Sequence, residues 1–293
     1  MKEKKHISPN ECSLGRWIVV LLVGLVVGIL PSIPLNAFLN NNTDTVMGIP
    51  YATFFGTLLF VPLFFGIVLS IRLIGKTSLK DFVLGVNGKI NFKQCLIIAG
   101  VYAAGFATTH LFIIRNISLR GVKIGQFAFL VLFMLLVAWM QTTFEELVFR
   151  GIILRWACKN TLGYTKKALI STAIGSLAFA IAHAVNPEVT SQKGIFILLG
   201  VLTYAIPSLV YFWANIHFGN LMPGIIIHWV NNFALFTLIS TNTGAVSVPS
   251  LLMDSTPQNA PWMFISTLIA HVPVMIYIII DMIKRKKAAA IAN

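Results

Sequence analysis

Long apolar stretches separated by short polar segments run along almost the whole chain, and they predict membrane-spanning helices. A helix needs about 20 mostly apolar residues to cross the hydrocarbon core of a bilayer. Eight stretches are of about this length, at 17–39, 49–74, 94–114, 125–154, 168–186, 194–214, 221–240 and 261–283. We therefore predict an all-α fold, a polytopic membrane helix bundle of about eight transmembrane helices. The fourth stretch is too long for a simple crossing, so we expect it to bend or to project from the membrane.

The composition supports a membrane protein and excludes several other classes. The chain is 57% hydrophobic and 11% charged, and its mean hydropathy is +0.84, whereas a soluble domain has about 25% charged residues. A disordered chain and a disulfide scaffold are therefore excluded, and the shortage of charged residues to cover a surface argues against a soluble globular enzyme. The net charge of +13 would indicate nucleic-acid binding in a soluble protein. Membrane topology explains it better here, and we expect no nucleic-acid partner.

The basic residues predict the orientation of the bundle. If there are eight spans, most of the 22 Lys and Arg residues fall on the side of both termini, including the run Lys284–Lys287. Because cytoplasmic loops are enriched in Lys and Arg, both termini are predicted to be cytoplasmic in a multi-pass protein of the cell membrane. The loop with Arg115, Arg120 and Lys123 is basic for an outside loop and is the exception.

Two neighbouring acids are the most informative residues, because ionisable groups inside spans are costly and usually functional. Of the nine Asp and Glu residues, only Glu145 and Glu146 fall together within an apolar helix. Glu146 and Arg150 lie four residues apart on one helix face and should form an ion pair. Adjacent positions point about 100° apart, so we expect Glu145 to face elsewhere and to be available as a general base. A buried network that only joins two helices explains these residues equally well.

Two intramembrane histidines have a suggestive neighbour on the same helix face. His183 follows Phe179 by four residues, and Asn232 follows His228 by four. If these groups meet Glu145, the acid and one imidazole can activate water while the other imidazole and the amide donate to an oxyanion. Alternatively Glu145, His183 and His228 would be ligands of Zn²⁺. Spacing alone leaves both mechanisms open.

Three short motifs follow one another in separate apolar segments: Glu145-Glu146 with Arg150, Phe179 with His183, and His228 with Asn232. This ordered set resembles the CAAX protease and bacteriocin-processing family, also called the CPBP or Abi family, over about residues 140–235. No motif position departs from the family pattern. The compact size of the chain is similar to that of bacterial members.

The resemblance implies an intramembrane endopeptidase that hydrolyses peptide bonds of membrane-associated or precursor peptides and proteins. It implies that Glu145 and His183 activate water, and that His228 and Asn232 form the oxyanion hole. Glu146, Arg150 and Phe179 would support the site. We favour a mechanism without a metal, because Asn is a poor zinc ligand and a good oxyanion donor, and zinc stays the alternative.

The resemblance also divides the chain. Residues 1–16 are the predicted cytoplasmic tail, 17–124 hold three accessory transmembrane helices and 125–240 hold the catalytic core. Residues 241–293 would form an extracytoplasmic loop, the last helix and a basic cytoplasmic tail.

Two further functions compete with proteolysis. A transporter would use the same intramembrane polar residues, but the sequence has no internal repeat and no paired broken helices. A non-enzymatic immunity or scaffold protein would bind a partner peptide without cutting it. The bilayer and a peptide or membrane-protein substrate are the predicted partners, and prenylation of the substrate is left open.

Overall fold

A computed structural model describes residues 12–30, 44–85, 88–113, 117–158, 162–241, 248–255 and 259–292. Residues 1–11 of the predicted tail and 31–39 of the first predicted span lie outside the described residues. The described residues form a bundle of helices with two very small sheets, and the all-α prediction is therefore confirmed. A helix lies in each of the eight predicted apolar stretches.

Twelve helices can be followed in the described residues. In chain order they are α1 (Leu14–Ile29), α2 (Tyr51–Leu58), α3 (Phe60–Leu73), α4 (Leu79–Leu84), α5 (Phe92–Ala107), α6 (Ile124–Glu146), α7 (Ile152–Ala157), α8 (Lys166–Ala182), α9 (Pro187–Thr190), α10 (Ile195–Phe218), α11 (Met222–Thr237) and α12 (Ala260–Ala292). Two π-helical segments extend them, Thr108–Ile113 after α5 and Leu147–Gly151 between α6 and α7.

Four helical stretches of the described residues are long and apolar enough to cross a membrane. They are Tyr51–Leu73, Ile124–Ala157, Ile195–Phe218 and Ala260–Ile291. Large hydrophobic side chains cover much of the outside of the bundle, as a lipid environment requires. The protein is thus a membrane protein, and the number of eight spans stays a prediction.

The two small sheets were not predicted. Strands β1 (Thr45–Val46) and β2 (Ile49–Pro50) form an antiparallel hairpin. The second sheet has the order β3 (Ile117–Leu119), β5 (Leu252–Asp254), β4 (Ile239–Thr241), antiparallel and then parallel. Strands of two or three residues are too short to show the alternation by which a sequence reveals them.

Arg120 follows β3 and explains part of the unusual charge of its loop. Its Nη1 donates a hydrogen bond to the carbonyl oxygen of Val248 at 2.8 Å. This cation is therefore used to join two connecting segments of the fold. Arg115 lies outside the described residues.

Helices α1 and α3 approach closely because glycines face the contact. A Cβ added at Gly28 would lie 2.6 Å from Cα of Leu63, and one at Gly24 would lie 2.9 Å from Cα of Ile67. Small residues four apart are typical of tightly packed membrane helices.

Helix α11 lies at the centre of the bundle. It packs against α5, α6 and α10, and α10 also packs against α8 and α12. The motif residues lie on α6, α8 and α11 or directly after them, so this packing brings the three motifs to one place.

Candidate active site

The two neighbouring acids end α6, and Arg150 follows them in the π-helical turn. Nη1 of Arg150 lies 3.1 Å from Oε1 of Glu146, and both side chains are fully buried. The ion pair expected from the spacing of these residues is therefore present. A single π-helical turn within a longer helix is frequent at functional sites.

Aromatic rings surround the buried arginine. The guanidinium carbon of Arg150 lies 4.0 Å from the ring centre of Phe179, 5.4 Å from that of Tyr211 and 5.7 Å from that of Phe212. The faces of aromatic rings attract cations, and this attraction is larger where water is excluded. Arg150 thus connects the end of α6 with α8 and α10.

His228 lies between the two acids. Its Nδ1 donates to Oε1 of Glu146 at 3.0 Å, and its Nε2 lies 3.4 Å from Oε2 of Glu145. The two neighbouring acids therefore reach the same imidazole, although adjacent positions on a helix point about 100° apart. The two nitrogens of an imidazole lie on opposite edges of the ring, so carboxylates that point in different directions can reach one ring.

His183 stands beside this cluster and does not touch its acids. Its Nδ1 donates to the carbonyl oxygen of Phe179 at 2.8 Å, and its ring lies between those of Phe179 and Tyr204, at 4.2 and 4.6 Å. A carbonyl oxygen only accepts, so Nε2 is the acceptor in the neutral ring. In the described residues no hydrogen bond or ion pair joins His183 to Glu145. The ring of Phe179 is in contact with both histidines.

Asn232 lies one turn after His228 on α11 and is 9% exposed. Its Oδ1 accepts a hydrogen bond from Nδ2 of Asn231 at 2.9 Å. The structure thus joins Glu145, Glu146 and His228 directly. His183 is linked to them through Phe179, and Asn232 lies on the next turn.

Several polar atoms of the cluster have unused bonding capacity. Oε2 of Glu145 and Oε2 of Glu146 are buried without a hydrogen-bond partner among the described residues, and so are the three nitrogens of the Arg150 guanidinium. The Glu146–Arg150 contact is therefore a close ion pair without an aligned hydrogen bond. Because buried polar groups in folded proteins are nearly always bonded, these atoms mark a place where a further polar ligand would be stabilised.

The residues proposed for zinc do not form a ligand set in this structure. Zinc needs three or four donors around one point. No group of three or more His, Cys, Asp or Glu side chains among the described residues could hold a metal ion. Glu145 and His228 are in contact, whereas His183 has no hydrogen bond or ion pair with either of them among the described residues. The arrangement of donors among the described residues does not fit Zn²⁺.

Sequence reasoning missed three residues that touch the motif side chains. Nε2 of Gln141 donates to Oε1 of Glu145 at 3.3 Å. The rings of Tyr204 and Tyr211 stack on those of His183 and His228. The sequence contains a signal for each of them. Gln141 precedes Glu145 by four residues and therefore lies on the same helix face. Tyr204 and Tyr211 are seven residues apart and share one face of α10.

Gly224 allows α11 to approach the buried acid. Its N–H donates to Oδ1 of Asn215 at 2.8 Å. An added Cβ would lie 2.7 Å from the amide atoms of Asn215 and 2.9 Å from Oε2 of Glu146. Pro223-Gly224 is a sequence typical of a helix start, and nothing in it indicates this contact.

Comparison with known proteins agrees with the motif pattern. Residues 126–234 match the family model of the type II CAAX prenyl endopeptidases, Rce1-like. The match lies within the predicted core, 125–240, and includes all seven motif residues. A search of the curated proteins and a search of the solved structures found no match. Over residues 126–234 the chain is thus similar to the CAAX protease (CPBP) family of membrane endopeptidases.

Proposed function

We propose that this protein hydrolyses peptide bonds inside the membrane with a water molecule activated by Glu145 and His183. One observation carries the proposal. His228 is held between two buried carboxylates, and Oε2 of Glu145 has no hydrogen-bond partner among the described residues. An acid with unused acceptor capacity beside an oriented imidazole is the arrangement that a hydrolytic site needs.

The reaction begins when the water oxygen attacks the carbonyl carbon of the substrate. One water proton passes to Glu145 as the C–O bond forms, and Nε2 of His183 orients the water as an acceptor. The carbonyl oxygen becomes an oxyanion, which accepts hydrogen bonds from Nε2–H of His228 and from Nδ2 of Asn232. In this role His228 is an imidazolium, because only the protonated ring has an N–H at both Nδ1 and Nε2. Removal of one oxyanion donor typically reduces kcat by about 10²–10³.

The intermediate then collapses. The carbonyl reforms, the C–N bond breaks, and the proton on Glu145 moves to the departing amine. The products are one carboxylic acid and one amine, so one water is consumed for each bond cut. No redox partner is needed.

Glu146 and Arg150 support this chemistry without touching the substrate. Glu146 accepts from Nδ1 of His228 and thereby aims Nε2 at the site. Arg150 compensates the charge of Glu146 within a fully buried pair. Phe179 packs against Arg150 and against the rings of both histidines.

The proposed substrates are membrane-associated or precursor peptides and proteins, in a cell membrane with both protein termini in the cytoplasm. The family match supports a CAAX-type endopeptidase. The proposal includes both prenylated and unmodified substrates. Prenylated and unmodified versions of each peptide can be compared directly.

The test is cleavage of a mixed peptide and membrane-protein library by purified protein in micelles. Wild type is compared with Glu145→Gln and His183→Ala, each with and without a chelator. The matched control is His110→Ala, which removes an intramembrane histidine outside the three motifs. We expect both motif variants to lose cleavage while the control and the chelated wild type retain it.

Other results would support other functions. Loss of cleavage with chelator and recovery with Zn²⁺ would establish the metal mechanism. Peptide binding that survives Glu145→Gln, with no cleavage by folded wild type, would establish a scaffold or immunity role. Proton-coupled transport altered by Glu145→Gln would establish a transporter.

A further inference from the structure

A chain of two hydrogen bonds leads from α5 to the predicted oxyanion donor. The hydroxyl of Tyr102 donates to Oδ1 of Asn231 at 2.6 Å, and Nδ2 of Asn231 donates to Oδ1 of Asn232 at 2.9 Å. Tyr102 is fully buried. The three side chains are therefore connected in one direction, from the tyrosine to the amide of Asn232.

The direction of this chain decides which end of Asn232 is available. A carboxamide has an acceptor end and a donor end. Because Oδ1 of Asn232 is already bonded to Asn231, its NH₂ group is left for another partner, and among the described residues it has none. An oxyanion can accept only from an N–H or O–H group, so the opposite orientation would be useless for catalysis.

We propose that Tyr102 and Asn231 are positioning residues that hold the amide of Asn232 with its NH₂ group toward the substrate oxyanion. This inference rests on the proposed function, because it assumes that Asn232 is an oxyanion donor. It assigns a role to two residues outside the three motifs. Tyr102 also lies outside the matched segment, in a helix that the sequence placed among the accessory spans.

Tyr102 is held in place by the helices around it. Its ring packs edge-on against that of His271, with ring centres 5.0 Å apart, and Nδ1 of His271 donates to the carbonyl oxygen of Thr267 at 2.8 Å. Three residues after Tyr102, a Cβ added at Gly105 would lie 2.3 Å from the carbonyl oxygen of Ala270. The close approach of α5 to α12 therefore fixes the start of the hydrogen-bond chain.

The decisive variant is Asn231→Asp. A carboxylate can still accept from Tyr102, but it cannot donate to Asn232. Asn232 would then turn its NH₂ group toward the new carboxylate and away from the substrate. We expect kcat to fall by about 10²–10³, the usual loss for one oxyanion donor, with KM unchanged. If the hydrogen-bond chain ran in the opposite direction, the same change would preserve it and leave kcat unchanged.

Tyr102→Phe tests the start of the chain with a smaller change. The ring stays and the hydroxyl is lost, so Asn231 loses the group that fixes its orientation. We expect kcat to fall about tenfold with KM unchanged. The matched control is Tyr277→Phe on α12, whose ring stacks on Phe218 away from the site, and it should leave kcat unchanged.

A double variant separates positioning from a general loss of structure. If Asn231 acts only through Asn232, then Asn231→Asp should cause no further loss of kcat in an Asn232→Ala protein. Additive losses would overturn the inference, and so would unchanged kcat in both Asn231→Asp and Tyr102→Phe. If Asn232→Ala itself leaves kcat unchanged, Asn232 is not an oxyanion donor and that part of the proposed function fails. This result differs from a failure of the positioning inference, in which Asn232→Ala lowers kcat but Asn231→Asp and Tyr102→Phe do not.

A measurement without substrate tests the same contacts. Tyr102→Phe and Asn231→Leu should each lower the unfolding midpoint of the wild-type protein in micelles. The double variant should be no less stable than Asn231→Leu alone, because the two residues share one hydrogen bond. Independent, additive shifts of the midpoint would show that this bond does not form and would overturn the inference.

Discussion

Two carboxylates in this molecule, Glu146 and Asp281, have the same kinds of partner. Each is followed four residues later by an arginine and is met by a histidine from another helix. Glu146 pairs with Arg150 at 3.1 Å and with Nδ1 of His228 at 3.0 Å. Asp281 pairs with Arg285 at 2.6 Å and with Nε2 of His217 at 2.7 Å.

The surroundings of the two groups differ completely. The side chains of Glu146 and Arg150 are fully buried, whereas those of Asp281 and Arg285 are 24% and 59% exposed. Water can replace a lost partner at the exposed group but not at the buried one. A His–acid–Arg arrangement therefore does not identify an active site by itself. The Glu146 group differs from the Asp281 group in its burial and in its second acid, Glu145.

The largest effect should follow the loss of the buried arginine. Arg150→Met leaves Glu146 charged in an apolar environment, and breaking a buried ion pair typically costs about 3–5 kcal/mol. His228 would also lose its fixed orientation, so cleavage should fall with stability. The free energy of unfolding in micelles and the cleavage rate of the folded fraction measure the two effects.

Arg155→Met is the matched control for that variant. Arg155 is equally buried, but it donates to the carbonyl oxygens of Phe82 and Val83, at 2.7 and 3.0 Å. Its loss leaves uncharged groups unpaired and should cost less, about 1–3 kcal/mol, while the folded protein keeps its cleavage rate. Equal losses of stability in both variants would mean that the ion pair is not what makes Arg150 important.

Local sequence rules predicted much of the fold and part of the site. Each apolar stretch located by hydropathy contains a helix, and the spacing of four residues predicted the Glu146–Arg150 pair. Both inferences depend only on residues close together in the chain. The length of the fourth stretch predicts that it bends or projects from the membrane. The structure has a π-helical turn in this stretch, at Leu147–Gly151.

Contacts between distant parts of the chain could not be predicted in this way. The meeting of both acids at His228 depends on how α11 packs on α6. The bond between Tyr102 and Asn231 joins residues 129 positions apart, and neither side chain has a neighbour in sequence that indicates the other. The sheet at β3 also depends on a partner strand that comes much later in the chain.

A smaller effect is expected when a methyl group is added beside the buried acid. Gly224→Ala would place a Cβ 2.9 Å from Oε2 of Glu146 and 2.7 Å from the amide of Asn215. Overpacking of this kind usually costs about 1–3 kcal/mol. We expect lower stability and slower cleavage, because Glu146 must shift and His228 moves with it. Asp281 has no comparable glycine contact among the described residues.

Two other glycines show whether this loss of activity is specific. Gly28→Ala would press on Leu63 in the α1–α3 contact, whereas Gly15→Ala meets nothing within 4 Å. Gly28→Ala should destabilise the protein without changing cleavage by the folded fraction, and Gly15→Ala should change neither. Slower cleavage in folded Gly28→Ala protein would mean that the α1–α3 pair also shapes the site.

The smallest effect is expected at the exposed arginine. Arg285→Met retains the apolar stem but loses the contact between Nε of Arg285 and Asp281 and the charge 5.5 Å from the ring centre of Phe218. Exposed ion pairs four residues apart on a helix contribute about 0.3–0.5 kcal/mol, and salt reduces this value because the Debye length is about 8 Å at 0.15 M.

Unfolding of the Arg285→Met protein at low and high salt therefore measures how much the exposed Arg285–Asp281 pair contributes to stability. The difference from wild type should be small at low salt and should disappear at high salt, with cleavage unchanged throughout. A loss of several kcal/mol, or of cleavage, would mean that Arg285 and Arg150 stabilise the protein to a similar extent despite their different exposure. Burial would then not be what distinguishes the Glu146 group, and the second carboxylate at His228 would have to account for the difference alone.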